Sequence, residues 1–294
     1  MWDGHDAFEN ALESMRRFRV MFGLAILFGC IVGFALGLTG GGGGVFAVPL
    51  LVYGMSIAPR EAVGISLASV GGTALFGAVP RLIHGEVELR TGLLFAIAGM
   101  MGAPVGSYLS SLVPETALLL MFAVLMLVVA YRMWAKTKDP SIVSGVCNSE
   151  ASMERDRSAC QRDEDGTLRL TSRCARLLVL VGLMTGVLSG LFGVGGGFVI
   201  VPALVLFSGM EIHRAVGTSL FVIVLVSVSG VASHLLSGNE LSISTALLFT
   251  TGGFAGMWLG GIVAKRLEGP TLQKVFSIAV VLVATFVLVK STVL

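Results

Sequence analysis

Two glycine-rich runs in this chain could bind an anion through backbone amides rather than charged side chains. Glycine adopts left-handed backbone angles and proline cannot donate a backbone hydrogen bond, so we expect no continuous helix from Gly40 to Pro49. The freed amides and the positive N-terminal ends of the helices that follow would suit a negative charge. The predicted binding residues are Gly40, Gly42, Gly43, Gly44 and Pro49 in the first run, and Gly193, Gly195, Gly196, Gly197 and Pro202 in the second.

These runs, here called the first glycine segment (Gly40–Gly44) and the second glycine segment (Gly193–Gly197), occupy matched positions in an internal repeat. The sequence GLTGGGGGVFAVP at 37–49 returns 153 residues later as GLFGVGGGFVIVP at 190–202. The pairing continues through the Ala-Val-Gly runs at 62–64 and 215–217. It predicts a duplicated, all-α transporter with a broken helix in each half.

The composition places this repeat in a membrane. The 294 residues are 55% hydrophobic and 13% charged, against about 25% charged in a soluble domain. Uncharged stretches supply the roughly 20 residues that a spanning helix needs, which predicts a polytopic protein with about four spanning helices and one short glycine-interrupted segment per half. The predicted regions are a tail or interfacial helix at 1–19, repeat 1 at 20–134, a charged linker at 135–175 and repeat 2 at 176–294.

The number of crossings has two interpretations. If the short segments turn back, there are eight spans, and the N-terminus, the linker and the C-terminus share the cytoplasmic side. If the short segments cross, each half has five crossings and the two halves are inverted. The basic residues in the loops favour eight spans, because cytoplasmic loops are enriched in Lys and Arg.

Five other polar residues near the apolar stretches are candidates for the same site. Ser66, Thr218 and Ser219 could line the cavity with hydroxyl donors, or could bond to carbonyls within their own helices. Arg81 and His234 occupy matched positions in the repeat. Either could act as a gate or an anion contact, because an ionisable group inside a membrane usually has a function. Alternatively, both lie at the interface, where a long side chain reaches water.

Catalysis and metal binding have weak support. Ser189 and His234 could form an intramembrane nucleophile and base, but the repeat places Leu36 and Arg81 at those positions, so the pair is not shared while the glycines are. The four cysteines form no CxxC pair. We therefore predict a protein that is not an enzyme, with no cofactor and no metal. Net charge +2 gives no argument for nucleic acid.

The glycine segments with their prolines, and the Ala-Val-Gly-x-Ser-Leu runs at 62–67 and 215–220, resemble the TauE/SafE family of membrane permeases, the sulfite exporters. The resemblance covers both hydrophobic halves and implies transport of small sulfur-containing anions, such as sulfite or organosulfonates, across the bacterial inner membrane. Two departures from the family pattern are the long linker and Val194, which stands in the second run where the first run has Gly41, so the two repeats are expected to contribute unequally to the site.

Our hypothesis is that the two repeats face each other, that the anion sits on the glycine amides near the midplane, and that one repeat rocks against the other. The predicted partners are a small anionic substrate and the lipid bilayer, and a homo-oligomer is left open. The alternative is a membrane scaffold or sensor that acts through the charged linker.

Overall fold

The computed structural model describes residues 3–138, 161–162, 168–169, 172–208, 210, 212–238, 241–264, 281–282, 284–285 and 287. Within these ranges the chain is almost entirely helical, as predicted. The helices are α1 (Asp3–Thr39), α2 (Gly44–Pro49), α3 (Pro59–Ile83), α4 (Leu89–Leu112), α5 (Glu115–Lys138), α6 (Ser172–Phe192), α7 (Gly197–Ser208), α8 (Ile212–Leu236) and α9 (Ile243–Ala264). A π-helical turn, Leu50–Gly54, extends α2. Two-residue strands β1 (Gln161–Arg162) and β2 (Leu168–Arg169) pair antiparallel.

The ends of the predicted regions differ in how much of them is described. Helix α1 is continuous through 3–19, so this range forms the beginning of α1 rather than a separate tail helix. Most of the predicted linker lies outside the described residues, as does most of the chain after Ala264.

Six helices in the described ranges are long and apolar enough to cross a membrane. They are Met21–Thr39, Pro59–Ile83, Leu89–Leu112, Ala175–Phe192, His213–Leu236 and Ile243–Ala264. Their outward faces carry large apolar side chains, including Met101, Leu180 and Trp258, each at least 60% exposed. Such faces suit lipid rather than water. The chain is therefore a polytopic, all-α membrane protein.

Glycines pack the helices of one half directly against those of the other. A methyl group on Gly33 of α1 would overlap the carbonyl oxygen of Gly253 of α9, and one on Gly186 of α6 would overlap the carbonyl oxygen of Gly99 of α4. Small residues allow this close backbone approach in membranes. The first helix of each half thus packs on the third long helix of the other half. Since Gly33 and Gly186, and Gly99 and Gly253, are matched by the repeat, the two contacts are related as a duplication would relate them.

The order of contacts gives the direction of each helix. The residue numbers of the contacting pairs increase together along α1 and α9, so these two helices are parallel. The same holds for α4 and α6. Helices α3 and α8 are antiparallel, because Gly64 near the start of α3 contacts His234 near the end of α8, and Gly217 near the start of α8 contacts Arg81 near the end of α3.

Helix α3 is parallel to α9, and α4 is parallel to α8, so the contacts connect all six long helices. Helices α1, α3 and α9 run one way, and α4, α6 and α8 run the other. Helix α6 therefore starts on the side opposite the start of α1. The eight-span interpretation, which puts the N-terminus and the end of the linker on one side, is wrong for this structure, and the inverted arrangement of the halves fits it.

Each short helix folds back along the helix before it. Gly43, just before α2, lies against Val32 and Leu36 of α1, and Gly54 at the end of the π-helical turn lies against Phe28. Likewise Gly196, just before α7, lies against Thr185 of α6. The chain therefore forms two helical hairpins, hairpin 1 (α1 and α2) and hairpin 2 (α6 and α7), each with its bend in a glycine segment.

Candidate anion-binding site

Both glycine segments interrupt their helices. Gly40, Gly193, Gly195 and Gly196 have φ between +67° and +72°, a left-handed backbone conformation that side chains disfavour. The amides of Gly40 and Gly193 each close the last turn of the preceding helix, as in a glycine C-cap. The helix breaks predicted at both segments are therefore present.

The breaks are shorter than predicted, because both prolines lie in helical backbone. Pro49 is the last residue of α2, and Pro202 lies inside α7. The π-helical turn Leu50–Gly54 directly follows Pro49, where a ring without an N–H widens the next turn. Pro49 and Pro202 therefore continue the short helices and do not form the bends.

The two glycine segments cross each other in the interior. The backbones of Gly41 and Gly197 touch, and the matched contact joins Gly44 to Val194. Gly195 lies beside Val70 and Ile223, at the middle of α3 and α8. All residues of the first segment and Gly193–Gly197 of the second are buried. The segments therefore meet halfway along the long helices, at the depth expected for a central site.

Ser66 and Ser219 connect each hairpin bend to the opposite half. The Ser66 hydroxyl donates to the Gly193 carbonyl (2.5 Å), and the Ser219 hydroxyl lies 2.6 Å from the Gly40 carbonyl and 2.8 Å from that of Val216 in its own helix. Both serines are completely buried. Since a hydroxyl has one proton to donate, Ser66 holds the bend of hairpin 2 in place and does not offer that proton to an anion.

Thr218 does not join the glycine segments. Its hydroxyl oxygen accepts a hydrogen bond from the amide of Glu88 (3.0 Å), just before α4. This bond satisfies one of the unpaired amides at the start of α4. The prediction that groups Thr218 with Ser219 is therefore not supported by the geometry.

Arg81 and His234 lie at opposite ends of the α3–α8 pair. Arg81 packs beside Gly217, next to the Val216 that contacts Gly40, and its Nε lies 4.0 Å from the Glu86 carboxylate. His234, only 3% exposed, packs beside Gly64, next to the Val63 that contacts Gly193. Each basic side chain therefore borders the bend of one hairpin, but the two do not meet.

The surroundings of the two glycine segments differ in chemistry. In the first segment, methyl groups on Gly41, Gly43 and Gly44 would overlap backbone atoms, so these glycines are needed for close packing. In the second, methyl groups on Gly195 and Gly196 would meet only side chains within 3.2 Å, from Val70 and Thr185. Gly195 and Gly196 are therefore glycine because of their backbone angles, whereas Gly193 and Gly197 of the same segment also approach backbone atoms, those of Val63 and Gly41.

Hydroxyl side chains border both segments, but those beside the first, Thr39 and Ser219, are already bonded to backbone groups. Thr185, Ser189 and Ser227 are each at most 2% exposed, and all three lie against Gly195 or Gly196. The repeat places Val32, Leu36 and Ala74 at the corresponding positions of the first half. The sequence reasoning considered Ser189 only as a nucleophile and missed Ser227. A search for positions where the second half has a polar side chain and the first half an apolar one would have found Ser189 and Ser227.

The hydroxyl of Ser189 has no hydrogen-bond partner among the described residues. It therefore makes no bond to His234, and the nucleophile–base pair considered from the sequence is not assembled. Catalysis by such a pair requires that bond or one close to it.

Comparisons with known proteins agree with this architecture. The family model described as sulfite exporter TauE/SafE matches residues 25–287. A probable membrane transporter protein of Xylella fastidiosa (strain Temecula1) is 34% identical over 90% of this chain and 93% of its own length. The probable membrane transporter protein YunE of Bacillus subtilis (strain 168) is 28% identical over 89% of this chain and 95% of its own. No solved structure matches the chain.

Proposed function

The chain belongs to the sulfite exporter TauE/SafE family of membrane transporters, and on that premise we propose that it is a secondary transporter of small anions. The proposed substrates carry sulfur, as sulfite and organosulfonates do, and the proposed location is the bacterial inner membrane. The observation that carries the proposal is the crossing of two broken hairpins at mid-depth, with Gly41 against Gly197. Non-helical backbone at that depth is characteristic of transporter sites.

The site would attract an anion through dipoles rather than through cations. Neither Gly195 nor Gly196 donates its amide to a backbone carbonyl in the described part of the chain. These amides precede α7, a 12-residue helix whose first turn begins at Gly197. A helix N-terminus carries a partial positive charge of about +0.5. The dipole acts through such unpaired amides, and it would offset about half of a single negative charge without a buried lysine or arginine.

Movement between two open states follows from which helices pack most closely. The α1–α9 pair and the α4–α6 pair are each in backbone contact through glycines, so we expect each pair to move as one body. Each pair takes one helix from each half. Rocking would therefore occur between these mixed pairs, with α3 and α8 between them, and not between the two sequence halves.

Arg81 and His234 are the proposed gates. Each borders one hairpin bend, and the two lie at opposite ends of the α3–α8 pair. An anion approaching from either side would meet a basic side chain before it reaches the glycine segments.

The test is flux in liposomes that contain the purified protein. Counterflow of sulfite, sulfoacetate, thiosulfate and sulfate should identify at least one transported anion, and Gly196→Ala should reduce that flux strongly because Gly196 has φ +68°. Gly261→Ala is the matched control, since a methyl group there meets no atom within 4 Å. A wild-type protein that moves none of these anions, or a Gly196→Ala variant with normal flux, would contradict the proposal.

A further inference from the structure

Two buried hydroxyls without a hydrogen-bond partner in the described part of the chain lie beside the second glycine segment. The hydroxyls of Ser189 and Ser227 have no hydrogen-bond partner among the described residues, and the two serines are 0% and 2% exposed. Leaving a buried hydroxyl unsatisfied costs about 1–3 kcal/mol. Two such groups beside the same backbone bend need an explanation, and binding of a ligand supplies one.

Both serines lie against the two glycines that precede α7. Ser227 Oγ lies 3.9 Å from where a methyl carbon on Gly195 would stand, and Ser189 Cβ lies 3.6 Å from the same position on Gly196. Thr185, the third hydroxyl residue there, donates its proton to the Val181 carbonyl. Ser189 and Ser227 are therefore the side chains with a proton available for a ligand.

From this geometry we infer that the anion site is asymmetric and belongs to the second glycine segment. Ser189 and Ser227 donate hydrogen bonds to the anion beside the amides of Gly195 and Gly196, whereas the first glycine segment packs hairpin 1 against hairpin 2 and binds nothing. The inference rests on the proposed transport of small anions. It specifies which half of the molecule binds the anion and which side chains do so.

The donor set also defines the class of ligand. Two hydroxyls and two amides supply four hydrogen-bond donors and no charged group, which suits an oxyanion that carries several acceptor oxygens. A sulfite or sulfonate group can accept from all four donors at once, whereas a halide offers a single centre. The inferred site is therefore selective for small oxyanions over halides.

The experiment compares Ser189→Ala and Ser227→Ala with Ser107→Ala in liposomes, with radiolabelled sulfite as the probe under anaerobic conditions. Ser107 is a matched control because its hydroxyl is also buried and without a partner among the described residues, but it is not among the nearest contacts of Gly195 or Gly196. We expect KM for sulfite to rise about tenfold or more in each site variant, because hydrogen bonds to charged groups contribute about 1.5–3 kcal/mol. The Ser107→Ala variant should keep the wild-type KM.

A second measurement separates binding from folding. Removing an unpaired hydroxyl should leave the free energy of unfolding unchanged or higher, so both site variants should be at least as stable as the wild type while they bind sulfite less well. Excess sulfite should raise the melting temperature of the wild type and not that of the Ser189→Ala/Ser227→Ala double variant. Excess chloride should raise neither.

The outcomes are distinguishable from failure of the proposed function. If wild-type liposomes transport no sulfur oxyanion, the transport proposal itself is wrong. If the wild type transports sulfite and both variants keep its KM, the serines bind only water and the inference is overturned. A fall in stability with unchanged KM would assign them a structural role and would overturn it equally.

Discussion

Replacing Ser66 with alanine should loosen hairpin 2 by removing one hydrogen bond that no neighbouring residue replaces. The Ser66 hydroxyl donates to the carbonyl of Gly193 at 2.5 Å, and both groups are buried. The variant leaves that buried carbonyl without the hydroxyl donor, at a cost of about 1–3 kcal/mol. The ratio of unfolded to folded protein should therefore increase about 5- to 150-fold.

Ser219→Ala provides an independent measure of the same effect. The Ser219 hydroxyl lies within bonding distance of the carbonyls of Gly40 and Val216, so the cost should be similar, with the Gly40 carbonyl the group that loses its partner. The two bonds share no residue, and the double variant should lose the sum of the two single losses within about 0.5 kcal/mol.

Unfolding in mixed detergent micelles, followed by circular dichroism against increasing denaturing detergent, measures these free energies. Ser237→Ala is the control, because that exposed hydroxyl bonds only to Ser233 in its own helix and its loss should change stability by less than about 0.5 kcal/mol. The reasoning fails if Ser66→Ala unfolds at the wild-type detergent concentration, since the bend would then not depend on the serine.

Three further predictions concern the packing of α1 on α9, the side chain of Arg60 and the linker. Gly33→Ala should destabilise the protein by about 1–3 kcal/mol, because its methyl group overlaps the α9 backbone, whereas Gly23→Ala meets no atom within 4 Å and should be neutral or slightly stabilising; unfolding in micelles distinguishes them. Arg60→Ala should lower stability by about 0.5–1.5 kcal/mol, since Arg60 donates to two carbonyls at the end of α4, and Arg60→Lys should lose most of this; equal stability of all three proteins would contradict the role. Deleting 140–171 should leave anion flux in liposomes intact, and loss of flux with normal membrane insertion would favour the scaffold or sensor alternative.

Local chemistry explains why the helix breaks could be predicted from the sequence. Consecutive glycines disfavour a continuous helix. The helix breaks at Gly40 and Gly193 lie in the glycine runs, as the sequence predicts. The length of each break could not be predicted from the sequence in the same way. Pro49 and Pro202 fit within helical backbone because each short helix begins at the last glycine of its segment.

The cross-connections between the halves lay beyond sequence reasoning. The bonds from Ser66 to Gly193 and from Ser219 to Gly40 join residues more than a hundred positions apart, and an alignment of one half on the other shows equivalence without showing contact. Charge counting gave the wrong sidedness for the same reason. It weighs the loops one by one, whereas the parallel packing of α1 on α9 depends on the whole fold.

The pairing of α1 with α9 imposes an order on biosynthesis. Helix α1 reaches the bilayer first, but Gly253 follows Gly33 by 220 residues, which takes about 10–45 s at common translation rates of about 5–20 residues per second. During that interval the face of α1 that carries Gly29, Gly33 and Gly37 contacts lipid or a temporary neighbour. A ribosome that stalls after the first half therefore leaves α1 and α4 in the membrane without α9 and α6, the helices against which their glycines pack.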